Sequence, residues 1–297
     1  MSGVEQAAAL IRAGKLVAFP TETVYGLGAN ALNTEAVSLI FEAKNRPRTS
    51  PLIVHVGSIQ MACELASEWP AAAAALARRY WPGPLTLVVP KRPEIPDIVT
   101  AGLDTVGLRI PAHPLALALI RAAGVPIAAP SANRFTELSP TSAAHVAGSL
   151  ADFVLDGGPS EVGIESTVLS LAGPPTLLRP GIIPLTEIEA LIGPVATVEA
   201  APTSAHPAPG MHPRHYRPKT PLYLLRDGDP VPEGRGAWLR RGKEMPANPR
   251  EYATLLYESL HRLDSESWDW IAVEPPPETA EWAGVLDRLQ KAAMPRL

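Results

Sequence analysis

A chain of 297 residues, 46% hydrophobic and 19% charged, carries enough apolar material for one substantial core and a second, smaller one, which excludes a disordered or coiled-coil protein. The formal net charge of −4 argues against a nucleic-acid binder held by a broad positive field, and the single cysteine, Cys63, excludes an internal disulfide and any Cys-x-x-Cys zinc module. Residues 1–6 lack a basic segment leading into an apolar one, and the most apolar window, 114–132, is broken by Arg121, Pro126 and Pro130, so the expectation is a cytoplasmic protein without a membrane span.

In chain order, Val4, Ala8 and Ile11 lie at helical spacing before a stop at Gly14, and residues 16–19 read as a buried strand. Thr34 opens a second helix whose Val37, Ile40 and Phe41 share a face, followed by a strand at 52–56. Helices at 59–67 and 71–80 precede strands at 85–90 and 106–110, and a helix at 115–123 leads into a strand at 126–129. Ser139-Pro140 has the form of an N-cap and first helical residue, which predicts a helix over 140–150. Runs at 153–155, 167–171 and 176–178 read as a strand cluster. The pattern is that of an α/β fold with a twisted, mixed, partly parallel sheet covered by helices. Composition changes at Pro194: seven of the 28 residues from there to Pro221 are proline, so 194–220 reads as a linker between a first domain, 1–193, and a small α/β domain, 221–297, with strands near 222–225 and 270–273 and helices near 249–263 and 278–292.

Several segments carry chemistry. Pro20-Thr-Glu-Thr-Val-Tyr-Gly-Leu-Gly28 sets hydroxyls, a carboxylate and two glycines at a strand's carboxyl end, where an open sheet makes its ligand crevice or, equally, a capped turn. Lys44-Asn-Arg-Pro-Arg-Thr-Ser-Pro51 crowds Lys44, Arg46 and Arg48 together, suited to a polyphosphate or to a solvated face. His55 sits in an apolar run as a core histidine or a ligand contact. Arg109 projects opposite Val106, Leu108 and Ile110 into a covered region, where it needs either a protein carboxylate or an anionic ligand. Ala128-Ala-Pro-Ser-Ala-Asn133 follows another strand, and Ser166 and Arg179 stand near strand ends in Gly163-Ile-Glu-Ser-Thr167 and Leu178-Arg-Pro-Gly181. The second half of the linker, residues 209–218, is rich in rings and arginines. Neither a Walker loop nor a Gly-x-Gly-x-x-Gly turn is present.

These segments, with Trp81-Pro-Gly-Pro-Leu-Thr86 and Asp156-Gly-Gly, occur in the order and nearly the wording of the YrdC-type threonylcarbamoyl-adenylate synthases, which the chain resembles over essentially its whole length in their long, two-domain form. The resemblance implies a YrdC-like fold and a reaction in which L-threonine, bicarbonate and ATP give threonylcarbamoyl-AMP and pyrophosphate. That product serves a tRNA threonylcarbamoyl transferase complex acting on adenosine 37 of tRNAs that read ANN codons. It implies catalytic roles for Lys44 and Arg46, and threonine contacts from Thr23, His55, Arg109, Ala129 (through its backbone) and Ser166. It implies ATP contacts from Arg46, Ser50, Thr105, Ser131, Ser139, Arg179 and Tyr216. Ser50 stands where related enzymes can carry an asparagine. Magnesium is expected to arrive with ATP, and the linker to close over the site through Tyr216. Two other classes fit parts of the pattern: an RNA-binding factor using a basic, concave surface of Lys44, Arg46 and Arg48 (weak, double-stranded RNA binding), and the carbamoyl transfer of hydrogenase maturation, whose cysteine-rich zinc motifs Cys63 alone cannot supply.

Overall fold

The computed structural model describes residues 2–198 and 215–295; most of the expected linker, 199–214, lies outside the described residues. The strands are β1 (Val17–Phe19), β2 (Gly26–Asn30), β3 (Ile53–His55), β4 (Leu85–Pro90), β5 (Thr105–Arg109), β6 (Ile127–Ala128), β7 (Phe153–Val154), β8 (Thr167–Ser170), β9 (Thr176–Arg179), β10 (Ala196–Thr197), β11 (Leu222–Leu224), β12 (Gly236–Leu239) and β13 (Trp270–Val273). The α-helices are α1 (Gly3–Arg12), α2 (Thr34–Lys44), α3 (Ile59–Leu65), α4 (Ala71–Tyr80), α5 (Asp97–Thr100), α6 (Pro114–Ala123), α7 (Leu185–Ile192), α8 (Pro249–Ser265) and α9 (Ala283–Ala292). Among the described residues ten strands join in the order β10-β9-β8-β4-β5-β3-β6-β2-β1-β7, with parallel and antiparallel pairs mixed, while β11-β13-β12 form a separate parallel sheet. No described helix is long and apolar enough to cross a membrane.

Strand alternation divides the large core. Val17 and Phe19 face α1 and α6, packing with Ala8, Ile11, Leu119 and Ile120, whereas Ala18 joins the opposite layer with Val37, Ile40 and Leu76 of α2 and α4. Ser2 and Glu5 form a reciprocal cap on α1 and Asn33 caps α2, so both helices start where local chemistry dictates.

Four expectations are corrected. No α-helix forms over 140–150; only the 3-10 turn Ala143–His145 is present. The carbonyls of Pro140 and Thr141 accept from the N–H groups of Tyr25 and Ser160 (2.8 Å each), so they are not available to start an i→i+4 ladder. β7 does not join β8 and β9: it pairs with β1 at the far edge of the sheet. The first linker residues form β10, parallel to β9. The segment after β1, read as a loop, contains β2, whose glycines hide any strand alternation; a Cβ on Gly28 would lie 2.7 Å from the Phe19 ring.

The small sheet is covered by α8 and α9, with Leu256, Leu260, Leu289 and Ile271 in its core. That core does not stop at the domain edge: Val24, Leu138 and Ile164 of the first domain belong to it, as does Tyr216. Backbones meet as well, since a Cβ on Gly284 of α9 would sit 2.4 Å from the carbonyl oxygen of Gly181. An alanine in a helix ordinarily gains up to about 1 kcal/mol over glycine. Here the clash with a backbone carbonyl reverses the sign, and Gly284→Ala is expected to destabilise the protein by roughly 1–3 kcal/mol, read as a lower urea midpoint with an unchanged slope.

Candidate active site

One cleft, with about 540 Å3 of empty space partly open to solvent, lies where the loops after β1, α2 and β6, strand β3, the ends of β5 and β9 and the residues leading into β8 converge with residues 215–216. It gathers Thr23, Arg46, His55, Arg109, Ala129, Ser131, Ser166, Arg179 and Tyr216, nine of the thirteen residues singled out above.

Local structure explains how they arrive. Thr21 accepts from the N–H groups of Thr23 and Val24 (3.2 Å each) and bonds the Thr23 hydroxyl at 2.9 Å, a tight turn that aims Thr23 inward. Tyr25 donates to the Gly158 carbonyl (2.7 Å) and accepts from Gly157 N–H (3.1 Å), so two sequence blocks far apart in the chain lock together. At the end of α2, Asn45 takes the left-handed conformation (φ 51°), turning the chain so that Lys44 and Arg46 both point inward. Arg46 donates to Ser50 Oγ (2.5 Å) and the Pro51 carbonyl (3.1 Å) and lies over the Phe135 ring. Arg179 grips Ser166 with three bonds of 2.9–3.2 Å, and Ser166 Oγ pairs with Thr86 Oγ1 at 2.8 Å.

Arg109, only 3% exposed, donates through Nε to the Gly83 carbonyl (3.2 Å) and places Nη2 2.8 Å from Glu22 Oε1. Of the two partners the sequence left open, the protein carboxylate is present. A guanidinium has five donors, so the fork keeps donors for a second anion.

Four residues stand off the cleft wall. Lys44, 1% exposed, donates to the carbonyls of Ser131 (2.5 Å) and Asn133. Ser50 sits behind Arg46. Ser139, not an N-cap, donates to Glu165 Oε1 at 2.5 Å. Thr105 lines a separate small cavity beside Thr86 and Gly107. The concave basic surface is also corrected: Lys44 and Arg46 are buried and Arg48 alone of the three is exposed, because the left-handed turn sends the first two inward.

The electrostatics are lopsided. Every buried Lys, Arg, Asp or Glu among the described residues, namely Glu22, Lys44, Arg46, Arg109, Glu165, Arg179 and Arg288, belongs to this site or its backing: five cations to two carboxylates. Burial brings Arg46 down to about 10 and, with Arg46 nearby, takes Lys44 well below its ordinary value. Burial and the charge of Arg109 hold His55 at about 3, a neutral imidazole. Several buried polar atoms on the wall have no hydrogen-bond partner, among them Arg46 Nε, His55 Nδ1 and Tyr216 OH.

A family model named Sua5/YciO/YrdC, described as telomere recombination, matches residues 9–181, and a second, described as threonylcarbamoyl-AMP synthase C-terminal domain, matches residues 183–294. The chain belongs to the Sua5/YrdC family. It has the family's two-domain form. It is 44% identical to the threonylcarbamoyl-AMP synthase of Bacillus subtilis over 98% of this chain and 92% of that one. A putative threonylcarbamoyl-AMP synthase of Mycobacterium tuberculosis is 40% identical over 64% of this chain and 89% of its own length. The crystal structure of Pyrococcus abyssi Sua5 complexed with L-threonine superposes with a TM-score of 0.91 at 42% identity, covering 98% of this chain and 94% of that one.

Sequence reasoning passed over Glu165, His215 and Arg288. Glu165 stood inside a quoted block with no role; His215 precedes Tyr216 and also lines the cleft. Arg288 offered no signal, since an arginine in a polar helix is ordinarily solvated.

Behind Ser139, the ring of His261 from α8 stacks on His145 with centroids 3.9 Å apart and bonds the Ser139 carbonyl at 3.1 Å. Burial and the neighbouring His145 lower His261 to about 4. With folded values depressed for His55 and His261, their contribution is complete above the unfolded value near 6.5 and is lost as pH falls towards 4, because only the unfolded chain takes up these protons. Urea unfolding at pH 7.5 and 5 is expected to show a loss of roughly 1–2 kcal/mol per histidine, and His261→Gln to remove its share of that pH dependence.

Proposed function

We propose that the protein is an L-threonylcarbamoyladenylate synthase, a nucleotidyltransferase that joins L-threonine, bicarbonate and ATP into threonylcarbamoyl-AMP and releases pyrophosphate. The observation that carries the reading is the buried excess of positive charge in a chain whose net charge is −4. Even with Lys44 neutral, the cluster holds more guanidinium groups than carboxylates. Such an interior is favourable only with an anionic ligand, and a triphosphate together with an amino-acid carboxylate supplies the missing charge.

The residues divide the work. Arg109, oriented by Glu22 and Gly83, takes the threonine carboxylate, with Thr23, neutral His55, Ser166 and the Ala129 backbone framing the rest of the amino acid. Arg46 and Arg179 neutralise the phosphates, with Ser131 and Tyr216 on the nucleotide side, while Lys44, Ser50 and Ser139 support that wall from behind through the Ser131 carbonyl, Arg46 and Glu165. The threonine amine and bicarbonate form a carbamate with loss of water; a carbamate oxygen then attacks the α-phosphorus, and the bond to pyrophosphate breaks. The reaction asks for alignment and charge neutralisation, which fixed guanidinium groups supply without an acid–base dyad. Magnesium enters as part of the ATP substrate. Glu22 and Glu165 are already paired with Arg109 and Arg288, and no described cluster of three His, Cys, Asp or Glu is arranged to hold a metal. The activated product passes to a tRNA threonylcarbamoyl transferase complex.

Purified protein is expected to release pyrophosphate from ATP only when bicarbonate and L-threonine are both present, with L-serine a weak competitor; no threonine-dependent release under any combination refutes the reading. Arg109→Ala is expected to cost about 1.5–3 kcal/mol of threonine binding, roughly a ten- to hundred-fold loss, measured as the rise in KM for L-threonine.

A further inference from the structure

We propose that Arg288, carried by the terminal domain, is a positioning residue for this reaction, and that seating this one guanidinium against the back of the cleft is what α9 contributes to catalysis. The inference rests on the functional reading above.

Arg288 is 1% exposed. Its Nε donates to Glu165 Oε2 (2.8 Å) and its Nη2 to the Glu165 carbonyl (3.2 Å), so it holds that residue by side chain and backbone together. Its Nη1 donates to the Pro180 carbonyl at 2.6 Å and to Asp287 Oδ2 at 2.9 Å. Its guanidinium lies 5.4 Å from the centre of the Tyr216 ring. Apart from Asp287 on its own helix, each partner adjoins or lines the cleft: Glu165 precedes Ser166, Pro180 follows Arg179, and Tyr216 is on the wall. Glu165 extends the reach further, since its Oε1 accepts from Ser139, and both its oxygens lie within 3.4 Å of the Tyr257 hydroxyl of α8. Despite burial, which acts the other way, the charges of Arg288 and Arg179 hold the Glu165 carboxyl below its ordinary range, so it stays ionised and able to accept from all of them.

Cohesion between the domains does not need this arrangement. An apolar core containing Val24, Leu138 and Ile164 already joins them, and a buried ion pair adds little stability compared with well-packed apolar groups. What a planar fork adds is geometry: fixed donors at fixed angles that set the Glu165–Ser166 peptide, opposite the grip of Arg179 on the Ser166 carbonyl.

The test uses the full chain and pyrophosphate release with L-threonine varied at saturating ATP and bicarbonate. Arg288→Ala is expected to lower kcat/KM for L-threonine by about tenfold or more, while circular dichroism and the urea transition report a folded protein. Millimolar guanidinium is expected to restore part of the loss, Arg288→Lys to fall between wild type and Arg288→Ala, and Glu165→Gln combined with Arg288→Ala to be no worse than the poorer single variant. Wild-type kinetics in Arg288→Ala overturn the inference. So does a loss that neither guanidinium nor lysine relieves and that adds fully to that of Glu165→Gln, because it then reflects general destabilisation. Should Arg288→Ala not fold, Arg288→Lys decides: it keeps the charge without the fork, and unchanged kcat/KM overturns the proposal. A wild-type protein that shows no threonine-dependent release refutes the functional reading itself and takes this inference with it.

Discussion

Burying positive charge is the constraint on which the rest of the structure depends. A guanidinium cannot escape by losing its proton, so each one taken out of water must be surrounded by acceptors. The sequence blocks around the cleft are largely that supply: Gly83 and Glu22 for Arg109, Ser50 and Pro51 for Arg46, Ser166 for Arg179, and the carbonyls of Ser131 and Asn133 for Lys44. Because these acceptors are mostly neutral oxygens, they orient the cations without cancelling them. The cleft thus keeps a positive potential suited to an anionic ligand.

The same accounting links the two domains. Glu165 lies in the first domain and Arg288 in the second; with the arginine removed, the carboxylate would be left buried beside Ser139 and Tyr257 without its main counter-charge. Residues 215–217 run between them. Tyr216 adopts φ 62° and places its ring between the cleft and Arg288, while Arg217 N–H donates to the Thr136 carbonyl at 2.8 Å and His215 N–H to that of Lys291 at 3.3 Å. The end of the linker is therefore held by both domains at once. A left-handed tyrosine with a buried, unpartnered hydroxyl is costly, and such strain is typical of residues that meet a ligand.

Legibility followed the range of the governing interaction. Helices with local caps and clear periodicity, such as α1, α2 and α8, could be read directly, because Ser2, Asn33 and Asn248 cap their own first turns. The segment 140–150 could not: its Ser-Pro start is a sound local signal, but two of its carbonyls are claimed by N–H groups from Tyr25 and Ser160. β2 was hidden because glycines chosen for contact with Phe19 carry no hydrophobic pattern, and β10 because two residues in a proline-rich stretch become a strand only beside β9. Likewise β7 looked like a neighbour of β8 and lies at the opposite edge, since nothing in its residues says which strand it will pair with.

By itself the sequence determined the fold class, the family resemblance and the identities of nine of the residues that converge on the cleft, because these reside in residue types and short spacings that survive without coordinates. Only the tertiary structure decided that Lys44 and Arg46 are buried and not a surface patch, that Ser139 serves Glu165 and not a helix, that Thr105 stands apart, and that Arg288 reaches the site from 123 residues away. The reason is physical: whether a charged side chain is solvated or buried, and against what, is set by which surfaces pack together, and that information is spread over the whole chain and not held in any one segment of it.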